Sequence, residues 1–379
     1  MKTIVIRSLV IMGIVGSISI KGASASTGPW RVAVAPDPSA TFGRFVYVAT
    51  SSSDIAMYTI DPTTGVLTSI GAVNVGHSVS SVAVDPSGNF LYATTASPGF
   101  FDPGTVSMYS IDAVTGTLTS LGTVLAGVGP RQVVVDNSGR FAYAANVGFD
   151  VFIYGSVSTY SLDETSGLLT PGETFSWDDI GGNAVSMTLD PFTRFAYVAG
   201  LTDHVGFVLV SYAIDATTGA LSFVQWLDAG DEPTSVTEDP SGRFVYVADH
   251  GGGMFMFAID PTTGALNFIG SVDAGGHPTS VAVEPSGRFA YVANCLDTED
   301  ACDLRTSTAP GNVSIFSIDA TTGSLTSIGT TDTGADPTSI AIDPSGNFAY
   351  VTNYKSNSVS MYSIDAVTGA LTLIGTIGT

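Results

Sequence analysis

Two short phrases alternate seven times along this chain, and that alternation restricts the fold more than any other feature. The first reads Asp-x-x-Thr/Ser-Gly-x-Leu and places a glycine at Gly65, Gly116, Gly167, Gly219, Gly264, Gly323 and Gly369. The second, typified by DPSGRFAYVAN, places a tyrosine at Tyr47, Tyr92, Tyr143, Tyr197, Tyr246, Tyr291 and Tyr350. Each unit spans 45–59 residues and divides into four runs, which in the sixth are TSVAVEP, RFAYVAN, NVSIFSID and SLTSIGT. All four are short, rich in β-branched and aromatic residues, and bounded by Gly, Pro, Asp or Asn, as strands are. No segment holds a helical period through three turns. Four antiparallel strands repeated seven times predict an all-β fold, a seven-bladed β-propeller of four-stranded antiparallel blades.

The apolar pattern orders the strands within a blade. In RFAYVAN both faces are apolar, as required of a strand covered by a neighbouring blade on each side. SVAVEP carries small β-branched residues suited to a crowded axis, and LTSIG alternates Leu and Ile with Thr and Ser, as an exposed edge does. The expected blades run over about 29–74, 75–125, 126–178, 179–228, 229–273, 274–333 and 334–379. Each is one contiguous segment, so the ring is expected to close mainly by apolar contact between first and last blades. Asp85, Asp136, Asp190 and Asp343 in one turn, and Asp112, Asp215, Asp319 and Asp365 in the other, read as acceptors of turn amides. Arg44, Arg140, Arg194, Arg243 and Arg288 share one place after the first turn and read as scaffold.

Residues 1–25 read as a secretory signal: Lys2 and Arg7 precede an apolar run from Leu9 to Ile20, and Ala23-Ser24-Ala25 supplies a cleavage site. The run is too short and too broken by Gly and Ser to span a bilayer comfortably, so no stable membrane span is expected after cleavage. Residues 26–379 form the single propeller domain, expected to be secreted, periplasmic or envelope-associated, and a monomer. With 34 acidic against 12 basic residues the net charge is −22, which disfavours nucleic acid and anionic lipid as partners. Expected partners are a small molecule, a glycan or an envelope protein. Cys295 and Cys302 are spaced for a small disulfide loop in an oxidising compartment.

Function is expected where the repeat is broken, because scaffold duty does not explain those positions. Alignment on Pro29, Pro130, Pro233, Pro278 and Pro337 gives a ring just before each inner strand: Gly28, Ser78, Gly129, Asn183, Glu232, His277 and Asp336. Beside it lie His77, Asp231 and Arg131, with Arg31 and Gln132 where most repeats have serine. His277 and Glu232, with Arg131, are the candidate catalytic set if the protein is an enzyme. Arg31, His77, Gln132, Asn183 and Asp336 are the candidate ligand contacts. A second region between second and third strands holds Asn146, His204, His250 and an acidic insertion at 294–311. No spacing matches a metal signature, a phosphate loop, a dinucleotide fingerprint or a serine-nucleophile elbow, and neither metal nor cofactor is expected.

The FAYVAN and FAYVTN stretches, and the unit PTSVAVEPSGRFAYVAN followed by NVSIFSIDATTGSLTSIG, resemble the YVTN-type propellers of the lactonase family over about Pro29 to Gly378. That resemblance implies the propeller fold and admits two functions. One is an exported binding scaffold holding a ligand or partner at the channel mouth. The other is lactone hydrolysis of the 6-phosphogluconolactonase kind, or muconate-lactone isomerisation. Catalytic relatives carry Pro-Arg-His entering an inner strand and Asn-Glu ending the next strand. Here these positions read Pro130-Arg131-Gln132 and Asn146-Val147, so an active version needs a non-standard set.

Overall fold

The computed structural model describes residues 31–36, 43–50, 52–97, 99, 102–148, 154–177, 182–202, 206–296 and 309–379. The signal segment 1–25, Pro29, His204, Cys302 and the acidic side chains of the insertion lie outside the described residues. Twenty-eight strands run from Val32–Pro36 to Leu371–Gly378. They form seven four-stranded antiparallel sheets, each with its strands in chain order. This is the predicted propeller. The second strands, such as Phe90–Thr95 and Phe141–Asn146, are buried along their whole length, which is why their sequences lack polar alternation.

The two repeated phrases meet across every blade boundary. In each pair, the glycine of one blade's Asp-x-x-Thr/Ser-Gly turn lies under the phenylalanine that opens the second strand of the blade before it. A Cβ on Gly65 would stand 2.2 Å from the ring of Phe348, and φ there is 71°, so glycine is required twice over. The tyrosine two residues beyond that phenylalanine then donates its hydroxyl to the same glycine's carbonyl. Tyr47 reaches Gly116 at 2.8 Å, Tyr143 reaches Gly219 at 3.0 Å and Tyr291 reaches Gly369 at 3.0 Å. Tyr92 and Tyr246 do the same with Gly167 and Gly323. The repeated arginines complete the latch: Arg140 lies over Phe141 and donates to the carbonyl of Ala216 in the next blade's turn, 2.9 Å away.

Ring closure uses this same device. Tyr350 of the last blade donates to Gly65 of the first at 3.1 Å, and Tyr58 donates to Gly378 at 3.0 Å. Around them Val46, Val48 and Tyr58 pack with Phe348, Val359 and Met361. Apolar contact is therefore joined by the tyrosine latch, and no strand is exchanged between the ends among the described residues.

One latch is not made. Tyr197 of blade 4 is fully buried, yet its hydroxyl has no hydrogen-bond partner among the described residues. Next to it stands Glu238, which closes the inner strand of blade 5 (Pro233–Glu238) where other blades end in Val84, Val135, Val283 or Ile342. Burial, then the charges of Asp190 and Asp239, push the Glu238 carboxyl up to about 9. It is therefore protonated at neutral pH.

For the expected Cys295–Cys302 bridge, no disulfide joins two described residues, because Cys302 lies outside them; Cys295, which is not a free thiol, is the buried last residue of the second strand Phe289–Cys295, paired with His277.

Two predictions follow from these contacts. Tyr350→Phe should destabilise the propeller by about 1–2 kcal/mol in denaturant unfolding, because a buried acceptor loses its donor, whereas Tyr197→Phe should be near neutral. Glu238 holds its proton in the folded chain but releases it above about pH 4.5 when unfolded, so wild-type stability falls as pH rises from there towards 9. Glu238→Gln should therefore stabilise the protein, with a gain in melting temperature that grows from pH 5 to pH 9.

Candidate functional site

All inner strands begin at one mouth of the channel, and the second strands end there. The first residue of the inner strand faces the last of the second, as in Pro130 with Asn146, Pro233 with Asp249 and Pro337 with Asn353, with a bulge immediately after. The carbonyl just before the proline accepts from the amide following the second strand: Gly129 from Val147, Glu232 from His250 and Asp336 from Tyr354. The ring positions singled out in the sequence are thus pinned by backbone at one rim.

At the bulge blades 2, 5 and 6 spend two side chains on their neighbour. A hydroxyl following the proline position donates to the next blade's proline carbonyl: Ser80 to Pro130 at 2.6 Å, Thr234 to Pro278 at 2.9 Å and Thr279 to Pro337 at 2.7 Å. One residue on, a serine hydroxyl accepts from the next inner strand's amide, as Ser81 does from Val133 and Ser235 from Val281. In blade 3 the first of these positions is Arg131. In blade 1 the second is Arg31, which has no acceptor atom to offer. Gln132 keeps the serine's task, its Oε1 accepting from Met187 at 2.8 Å.

Arg31 and Arg131 are therefore released from scaffold bonding, and they face each other electrostatically. Burial, then the like charge of Arg131, pulls Arg31 down to about 10, and burial also lowers Arg131. Both stay charged at neutral pH. Their Nε atoms are buried without hydrogen-bond partners, and among the described residues no carboxylate lies within ion-pair distance of either. Two desolvated guanidiniums with no counter-charge among the described residues have the chemistry to receive an anion.

A second group occupies blades 5 and 6. The rings of His250 and His277 stack with centroids 4.8 Å apart, and His277 Nδ1 lies 2.8 Å from the carbonyl of His250. A carbonyl only accepts, so Nδ1 carries the proton and Nε2 of neutral His277 is the free base. Glu232 stands 4.0 Å from His250 Nδ1 with its carboxylate largely exposed. Burial lowers the His250 pKa, and Glu232 partly restores it. Glu232 and His277 thus each adjoin His250, a residue outside the expected catalytic set. Asp249, at the place taken by Asn146, Asn294 and Asn353 in other blades, accepts the Glu232 amide at 2.5 Å and orders this corner.

Other candidates are placed differently. His77 lies exposed ahead of the blade 2 inner strand. Asn183, with its amide turned so that nitrogen faces the neighbouring carbonyls, donates to Val147 and Gly182. Asn146 is buried and bonded to Ser156 and Ser158, with Gly127 N–H donating to its Oδ1. Asp336 is buried at a φ of 55°, and its Oδ2 has no hydrogen-bond partner. Burial, opposed by Lys355, raises its carboxyl to about 6. Among the described residues no group of three or more His, Cys, Asp or Glu is arranged to hold a metal ion.

The sequence matches the family described as lactonase, 7-bladed beta-propeller, over residues 44–184, 195–299 and 305–377. The chain belongs to that family. No curated protein matches it. Among solved structures it is similar to a proposed 6-phosphogluconolactonase of Bacteroides uniformis, at 20% identity and a TM-score of 0.72, covering 86% of this chain and 92% of that one. A periplasmic gluconolactonase of Pseudomonas aeruginosa has 20% identity and a TM-score of 0.69, with the same coverage of 86% and 92%. Hydrazine synthase of Kuenenia stuttgartiensis, at 17% identity and a TM-score of 0.66, covers 94% of this chain and 100% of that one. These likenesses establish the fold, which hosts unlike chemistries.

Asp336 gives a testable pH signature. Its folded-state value lies above the ordinary 3.8, so the stability it contributes is complete below that pH and lost as pH rises through 6. Asp336→Asn, which tolerates the same left-handed backbone, should unfold about 1–2 kcal/mol later than wild type at pH 7 and show little difference at pH 4.

Proposed function

We propose that this chain is an exported lactone hydrolase whose channel arginines receive the negative charge of the reaction. The observation that carries this reading is the Arg31–Arg131 pair, placed where the repeat otherwise spends hydroxyl groups on its own scaffold. Membership of the lactonase family supports it. In this reading neutral His277 takes a proton from water through Nε2. The water oxygen attacks the lactone carbonyl carbon, and the oxyanion is met by a guanidinium. Collapse breaks the ring C–O bond, and the departing oxygen recovers the proton from the imidazolium. The product is a hydroxy acid, whose carboxylate the arginines also fit.

The substrate we favour is an unphosphorylated sugar lactone. Export separates the chain from cytoplasmic sugar phosphates, and so acidic a surface disfavours a doubly charged ligand. The N-terminal segment and the periplasmic gluconolactonase of Pseudomonas aeruginosa support an extracytoplasmic setting. No helix among the described residues is long and apolar enough to cross a membrane.

A second reading, a binding scaffold for a hydroxy acid or related anion, is favoured by one specific observation. The places of the family's histidine and glutamate are held here by Gln132, bonded to the next blade, and by Val147. The experiment that separates the two is pH-stat hydrolysis of a lactone panel by the mature protein, beside Arg31→Ser and Arg131→Thr. Both substitutions restore the repeat's own residue and should fold. Turnover falling by about 10²-fold or more in each supports the enzyme. Turnover no higher than the spontaneous rate, with aldonate binding that the variants lose, selects the scaffold instead.

A further inference from the structure

A cleft of about 490 Å³ lies between blades 4 and 5, running from the outer strands to the turn just before Glu232, and the repeat does not explain it. Its walls are Leu227, Asp228, Asp231 and three phenyl rings, Phe255, Phe257 and Phe268. Two of these rings are departures from the pattern. The third strand carries serine at Ser107, Ser158, Ser314 and Ser360 where blade 5 has Phe255. The outer strand carries serine at Ser69, Ser120 and Ser327 where blade 5 has Phe268.

The exchange at Phe255 removes a structural bond and is matched by a second change. In blades 3, 6 and 7 the serine receives the amide of Asn146, Asn294 or Asn353 at 3.0, 2.9 and 2.9 Å. Blade 5 has Asp249 in place of the asparagine, and that carboxylate turns to the backbone of Glu232 instead. Phe255 is thereby free to line the cleft, with its ring against Gly230, where a Cβ would stand 2.7 Å away. Phe268 completes the wall, with centroids 6.2 Å from Phe255 and 5.6 Å from Phe257, and remains 57% exposed. Asp228 is partly engaged with the Gly230 amide at 2.9 Å, and the Asp231 carboxylate makes no hydrogen bond to the described residues.

The chemistry of these walls selects a ligand class. The lining side chains offer carboxylate acceptors and aromatic faces but no hydrogen-bond donor, so an anion is not matched, and a neutral polyol would donate to the carboxylates without neutralising their charge. An inorganic cation needs several oxygen ligands, and no such group is assembled among the described residues. A cation with an apolar shell satisfies both features, because ring faces attract positive charge and the carboxylates complete its neutralisation. We propose that this cleft binds a small organic cation, a quaternary or alkylated ammonium.

The test uses the whole mature protein and reads binding alone, so lactone turnover has no bearing on it. Choline and benzyltrimethylammonium are titrated calorimetrically, with 3,3-dimethylbutan-1-ol as the uncharged counterpart of choline. The expected result is saturable binding of both cations, weakened by added salt, and none of the alcohol. Phe268→Ser, which installs the residue of three other blades, should weaken binding about ten-fold, and Asp231→Asn several-fold with a shallower salt dependence. Equal binding of alcohol and choline, unchanged affinity in Phe268→Ser, or no saturable binding of either cation would overturn the proposal.

Discussion

A tyrosine hydroxyl donated to the carbonyl of a glycine one blade away is the contact on which the ring depends. The glycine must be glycine because its φ is positive and because a phenyl ring occupies the space of its Cβ. The tyrosine must follow that phenylalanine by two residues so that both lie on the face turned to the next blade. An arginine laid over the same ring then binds the carbonyls of the same turn. One inter-blade joint therefore explains both repeated phrases. Because Tyr350 and Gly65 make it as well, the joint closes the circle with no strand exchanged among the described residues.

A scaffold so fully committed leaves few side chains for chemistry. At the channel mouth, hydroxyls and amides of successive blades bond one another, and a functional group enters by displacing a member of that circuit. Arg131 displaces a hydroxyl that would reach the next proline carbonyl. Arg31 displaces one that would receive the next strand's amide. Blade 5 shows the same exchange in another place, where an asparagine–serine fastener gives way to Asp249 and Phe255. Each departure costs a structural hydrogen bond of about 1 kcal/mol. A sevenfold fold can absorb that loss in single blades because its other joints remain.

Blade number, strand order and turn chemistry were legible in the sequence because each is written seven times in local residues. The rim was legible in part. His250, beside Glu232, stacks on His277 through a contact that depends on how blades 5 and 6 abut, which no local pattern records. Gln132 reads as a ligand contact by its polarity, yet its longer side chain does a serine's work for the adjacent strand. Glu238 stands beside Asp239 at the turn, and its burial against Tyr197 of the preceding blade is a contact that local sequence does not record.

The central claim is that Arg31 and Arg131 together form an anion site at the heart of the ring. A crystal structure of the mature protein soaked with an aldonate tests it most directly. The account predicts ligand density whose carboxylate touches both guanidiniums, with His277 Nε2 facing the same ligand. Empty density between the arginines beside an aldonate bound elsewhere, or a carboxylate of the chain itself lying between them, would contradict it.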